Sequence, residues 1–189
     1  MTNTTRRIPK VAWLQAGLTV LSDIGPNGLT IERICTKINR SKGSFYFHFS
    51  SVDTYKEDLL SFWEEMHTDA VEEGVREYQD PIAQRRALPG LAAVLSDKVE
   101  RAIRLWSQLD EKARAATAQV DERRIAFVAN IIMQTDNTTP AMARRLATIE
   151  YAAFLGFQHL LTDATEAERQ SIYESTLYLI SPNLAKMEE

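Results

Sequence analysis

Residues 30–49, TIERICTKINRSKGSFYFHF, constrain this chain more than any other stretch. Ile31, Ile34 and Ile38 recur at helical spacing and give a first short helix one apolar face. Thr30 stands where a helix N-cap belongs, behind a turn at Pro26, Asn27 and Gly28. Asn39 closes that helix, because asparagine tolerates the left-handed conformation a helix C-terminus often needs. Ser41 caps a second helix through Phe47, and Phe45 and Phe49, four apart, are expected to pack inward on the isoleucines. Gly43 has no side chain and so admits close approach of a neighbouring backbone. Arg40, Ser41, Lys42, Ser44, Tyr46 and His48 remain as donors on or beside the outer face. A short helix offering such groups, held by a helix ahead of it, is what a helix-turn-helix sets into a DNA major groove.

Charge supports a basic head on an acidic body. Residues 1–50 carry seven Lys or Arg against two Asp or Glu, and residues 51–189 carry fifteen against twenty-four. Such a division suits a protein that touches phosphate with one end only. Arg6, Arg7 and Lys10 form a basic arm that reads either as a phosphate or minor-groove contact or as a solvated tail. The single Cys35 has no disulfide partner and reads as a buried structural thiol. No run reaches the roughly 18 apolar residues of a membrane helix, and the N-terminus lacks an apolar signal core, so a cytoplasmic protein without membrane contact is expected.

The rest of the chain reads as helices throughout. Helix 1 is expected from about Arg7 to Asp23 with Val11, Leu14, Leu18 and Leu21 as its core stripe, and Gly25 as its stop. A long helix follows from Ser51 to about Tyr78, with Leu59, Phe62, Trp63, Met66 and Ala70 on one face. Between residues 82 and 95 a break or a late helix start is expected at Pro89 and Gly90. Further helices are expected over 97–108, 111–135, and from Pro140 to about Thr162, and a last one begins at Asp163 or Thr165. From Leu146 to Leu161 the only charge is Glu150, so that helix must be buried on two sides, by the body and by either a partner subunit or more of its own chain.

The stretch Ser41-Lys42-Gly43-Ser44-Phe45-Tyr46-Phe47-His48-Phe49, with Thr30 opening the preceding helix, resembles the DNA-binding domain of the TetR family of bacterial transcriptional regulators. Two departures stand out: Asn39 replaces the family's usual glycine, and Val52 stands where a lysine usually opens the next helix. Ala102-Ile103-Arg104-x-Trp106, then Asp110 and Val120-Asp121-x-x-Arg124, resemble the body of one TetR-like subgroup, which also favours the Gly-Ser-Phe-Tyr-x-His-Phe seen at residues 43–49. The resemblance implies an all-α fold, with a three-helix DNA-binding domain over residues 1–50 and a helical ligand-binding and dimerisation domain over 51–189. It implies a homodimer joined through its last two helices, a palindromic double-stranded DNA operator, and a small-molecule ligand that releases it, the mode of a repressor. Thr30 belongs to the DNA-binding set; Lys42, Tyr46 and His48 would hold phosphate or sugar, and Arg40, Ser41 and Ser44 would read base edges. Trp63, Met66, His67, Trp106, Phe127, Ile131, Phe154 and Gln158 come from helices that, by the same resemblance, surround a ligand cavity, and they read equally well as plain core.

Other chemistry finds little material. Glu64-x-x-His67 has half the spacing of a carboxylate di-metal site, but Gly156 stands three before His159 where the second carboxylate belongs. No nucleophile elbow and no glycine-rich phosphate loop occurs, so no metal, no cofactor and no enzyme activity is expected. Because of Val52, a competing expectation is a helical small-molecule binding protein whose DNA-binding head is inactive.

Overall fold

The computed structural model describes residues 8–93, 95 and 97–181. Every regular element among them is helical: α1 (Lys10–Ile24), a 3-10 turn (Pro26–Gly28), α2 (Ile31–Lys37), α3 (Lys42–His48), α4 (Val52–Glu64), a π turn (Glu65–Asp69), α5 (Ala70–Arg76), α6 (Pro81–Ala93), α7 (Asp97–Ser107), α8 (Glu111–Thr135), α9 (Pro140–Leu160) and α10 (Glu166–Ile180). The all-α expectation therefore holds. Two compact units form, one from the chain up to Glu64 with Lys98–Thr117, the other from Glu65–Asp97 with the chain from Ala118 onward.

The first unit is built on aromatic rings. Phe45 of α3 is fully buried, with its centroid 5.7 Å from Trp13, 5.0 Å from Phe49 and 5.1 Å from Tyr55. The Tyr55 hydroxyl donates to the Trp13 carbonyl at 2.9 Å, and burial pushes its pKa upward, so it remains a donor. Gly17 makes room for this bond, since a Cβ there would stand 1.9 Å from the Tyr55 oxygen. Sequence reasoning placed Phe45 and Phe49 on the isoleucines; Ile34 is buried as expected, but the ring partners are Trp13 and Tyr55. Leu14, Leu18 and Leu21 are buried, whereas Val11, in the first turn of α1, is exposed. Elsewhere in this unit the Trp63 indole N–H donates to Glu100 Oε2 at 3.2 Å, and Arg104 pairs with the other Glu100 oxygen at 2.8 Å.

Helix 51–78 begins where its cap predicted: Ser51 Oγ accepts the Thr54 N–H at 3.0 Å. Its apolar stripe does not continue straight. Leu59, Phe62 and Trp63 are buried, but Met66 and Ala70 are exposed, and His67, Thr68, Glu72 and Val75 are buried instead. The cause is the π turn at Glu65–Asp69, which adds a residue to one turn and rotates everything after it.

The second unit holds a compact apolar cluster of Val128, Ala129, Ile132, Ala143 and Ala147, with Leu88, Ile125 and Leu146 packed against it. Charge is buried beside apolar side chains. Glu72 receives Arg123 through both oxygens at 2.9 Å and Arg76 at 2.7 Å. Arg124 donates to Thr68 Oγ1, the His67 carbonyl and the Tyr151 hydroxyl, which in turn donates to Asp121 at 2.7 Å. Arg85, with none of its surface exposed, donates to Glu150 at 2.7 Å and Ser181 at 3.0 Å, and Ser181 donates to Asp136 at 2.7 Å.

Neither the break nor the late helix start expected at Pro89 and Gly90 occurs: α6 begins at Pro81 and runs through both. Proline removes one backbone donor, but Pro89 is itself buried, and Arg85 one turn earlier anchors the helix to Glu150 and Ser181. Tertiary contacts outweigh one lost bond. Replacing Arg85 by Met would leave the Glu150 carboxylate, 13% exposed, without its cation. Urea denaturation should then show a loss of about 3–5 kcal/mol, and an unchanged midpoint would mean that the pair carries no stability.

Candidate nucleic-acid interface

α2 and α3 are each seven residues long, too short to stand alone, so caps and packing must hold them. Thr30 Oγ1 accepts the Arg33 N–H at 3.4 Å, and Ser41 Oγ accepts the Ser44 N–H at 3.2 Å. Between the helices Asn39 takes φ 52°, the left-handed conformation expected of it, and the Arg40 N–H returns to the Cys35 carbonyl at 2.9 Å. Phe45 then pins α3 from its inner side.

The outer side follows. Lys42, Gly43, Tyr46 and Phe47 are exposed, Ser44 and His48 half-buried. Lys42 is tied to Glu32 of α2 by a hydrogen-bonded ion pair, which holds the ammonium pKa up and the carboxyl pKa down. Arg40 Nη1 donates to the Asn39 carbonyl at 2.8 Å, so its guanidinium lies against the turn. The Ser41 and Ser44 hydroxyls stand 3.3 Å apart. The His48 ring is 6.0 Å from Trp13 and 5.1 Å from Phe47. The residues expected for DNA thus lie on α3, on its cap and turn, or, for Thr30, at the start of α2.

Three features of this surface were not part of the sequence expectation. Glu32, exposed on α2, pairs with Lys42. Phe47 is 58% exposed, a consequence of lying four residues after Gly43 on the outward face; the i, i+4 rule applied to Gly43 would have found it. Among the described residues no other segment's backbone approaches Gly43: an added Cβ would meet Ser41 Oγ, at an ordinary 3.7 Å. Lys10, expected in a basic arm, instead pairs with Asp58 at 2.7 Å and lies over the Phe49 ring; Arg6 and Arg7 fall outside the described residues. Cys35 is buried and unbridged, and burial raises its thiol pKa, which keeps it neutral.

The residues expected around a ligand divide between the two units. Trp63 and Trp106 are core residues of the first. In the second, His67, Ile131 and Gln158 are buried and Phe127 and Phe154 half-buried, with Arg76 over the Phe127 ring and Phe154 stacked on Tyr151. Met66 is 44% exposed, turned outward by the π turn. Buried charge in that unit, at Glu72, Arg85 and the half-buried Arg124, exceeds the two polar groups expected there. Among the described residues no cluster of His, Cys, Asp and Glu suits a metal ion, and no helix is long and apolar enough to cross a membrane.

Residues 14–61 match the family profile described as bacterial regulatory proteins, tetR family. No curated protein is similar enough in sequence to count as a relative. Solved structures resemble most of the chain. A transcriptional regulator from Rhodococcus sp. Rha1 is similar with a TM-score of 0.71 at 15% identity, over 95% of each chain. A transcriptional regulator from Aquifex aeolicus VF5 also reaches 0.71, at 20% identity, over 90% of this chain and 98% of that one. These likenesses carry the fold; the match over α1 to α4 carries the lineage. The head of the chain, residues 14–61, is thus a regulatory domain of the bacterial tetR family, set in a fold shared with solved transcriptional regulators.

Proposed function

We propose that this regulator works as a homodimer that places α3 in the major groove of palindromic duplex DNA and represses until a small molecule releases it. The carrying observation is the outward face of α3, where Lys42, Tyr46 and the two serines stand on a helix pinned by Phe45. In this reading residues 1–50 are the DNA-binding head and 51–189 take up ligand and partner. Lys42, Tyr46 and His48 hold phosphate or sugar, and Arg40, Ser41 and Ser44, with Thr30 beside them, complete the contact. Each phosphate contact releases about one counterion. Lys42→Ala should therefore weaken binding to every duplex and lower the salt slope by roughly one. Glu32→Gln, which frees Lys42, should strengthen binding; equal slopes in all three proteins would refute the placement.

Assembly rests on α9 and α10. Ile149, Leu160, Tyr178 and Leu179 are between 56% and 79% exposed, and nothing stands within 4 Å of a Cβ at Gly156. Apolar side chains so large and so exposed call for cover, here by a second copy. Sedimentation at micromolar concentration should give a dimer that buries at least ~1,000 Å², and Gly156→Arg should weaken it. A wild-type monomer would end the dimer reading.

Release requires a ligand that favours the non-binding geometry. A compound that quenches tryptophan emission, where Trp63 and Trp106 are buried, is the probe. It should lower operator affinity roughly 5–150-fold, the usual range of such coupling. If it quenches yet leaves affinity unchanged, its site is not regulatory.

A second reading is favoured by Val52, which opens α4 without the cation the family usually places there. Under it the chain binds small molecules and no operator. Failure to retain any duplex DNA at low salt, with a ligand still bound, would select it.

A further inference from the structure

The groups assigned so far on α3 are polar, yet its outward face also carries a large apolar ring. Phe47 is 58% exposed, and its ring stands edge-on to His48 at 5.1 Å and 88°, which gives it a set direction. One turn earlier lies Gly43, exposed and outside the left-handed region that only Gly25 among the glycines adopts. Neither backbone conformation nor packing among the described residues calls for a glycine there, because a Cβ would touch only Ser41 Oγ at 3.7 Å.

The two features stand four residues apart, and so on one side of α3: a position without a side chain at Gly43 and the exposed Phe47 ring, with Lys42 and Tyr46 next to them in sequence. A base edge can come close to the helix at Gly43, and the Phe47 ring offers it an apolar partner. Among base edges in the major groove, the thymine C5-methyl group alone is apolar.

We propose that Phe47, over the bare turn at Gly43, reads the C5-methyl of thymine and makes this regulator select thymine over cytosine at one position of each half-site. The inference rests on α3 entering the major groove, as proposed above, and gives that site its base specificity.

The test starts from duplexes enriched by the purified full chain from a random pool. Each thymine is then replaced singly by uracil, which removes the methyl and leaves the hydrogen-bonding edge intact. One thymine per half-site should lose affinity by about fourfold, the factor for one buried methyl. In Phe47→Ala the same uracil should cost nothing. Gly43→Ala should bind the enriched duplex more weakly while its melting temperature holds or rises.

Two outcomes overturn the inference and leave the regulator reading standing: enriched duplexes indifferent to every uracil, or a uracil penalty that persists in Phe47→Ala. The second would hand the methyl contact to another side chain. Failure to enrich any duplex would remove both the inference and the reading beneath it.

Discussion

The candidate interface depends on one buried contact set: the Phe45 ring against Trp13, Phe49 and Tyr55, locked by the Tyr55 hydroxyl on the Trp13 carbonyl at 2.9 Å. Helix α3 has seven residues, and nucleation alone makes such a helix unstable in water. Its existence, and the direction in which Lys42, Tyr46 and Phe47 point, follow from the burial of Phe45. Truncating a buried phenylalanine typically costs 3–5 kcal/mol, several times the worth of the Ser41 cap. The same bond explains Gly17, where any side chain would collide with Tyr55.

The second unit is organised differently. There, buried or half-buried arginines join helices that aliphatic packing brings together: Arg123 on Glu72, Arg124 on Thr68 and Tyr151, Arg85 on Glu150 and Ser181. Burial raises the Glu150 carboxyl pKa against the pull of Arg85, which marks desolvation as the stronger influence on that group. Buried pairs of this kind add little net stability over a hydrophobic replacement but penalise any rearrangement that separates them.

Surface chemistry separates the two roles proposed for the molecule. The outward side of α3 is polar apart from Phe47, whereas α9 and α10 expose large apolar side chains at Ile149, Leu160 and Leu179 among polar ones. Nucleic acid rewards the first kind of surface through counterion release, and a second protein copy rewards the other through burial. Structural likeness at 15–20% identity shows how weakly the fold depends on particular core residues. Hydrophobic pattern and approximate volume suffice for the architecture.

Much of this was legible in the chain itself. Helical periodicity, Thr30 and Ser41 as caps, Asn39 as a left-handed stop, and the Ser41 to Phe49 motif led to an all-α regulator head, because each depends on near neighbours in sequence. Glu111 and Pro140 likewise marked helix starts that the structure keeps. What needed tertiary structure involved residues distant in sequence or a local break in phase. The π turn at Glu65–Asp69 carries no sequence mark, yet it turned Met66 outward and buried His67. Pro89 stayed helical because Arg85 found Glu150, sixty-five residues away. The ring partners of Phe45 and the capture of Lys42 by Glu32 were decided the same way, by which side chains the folded backbone brings within reach. Periodicity sets which face of a helix is apolar; only packing decides what that face meets, and where a charge is enclosed with it.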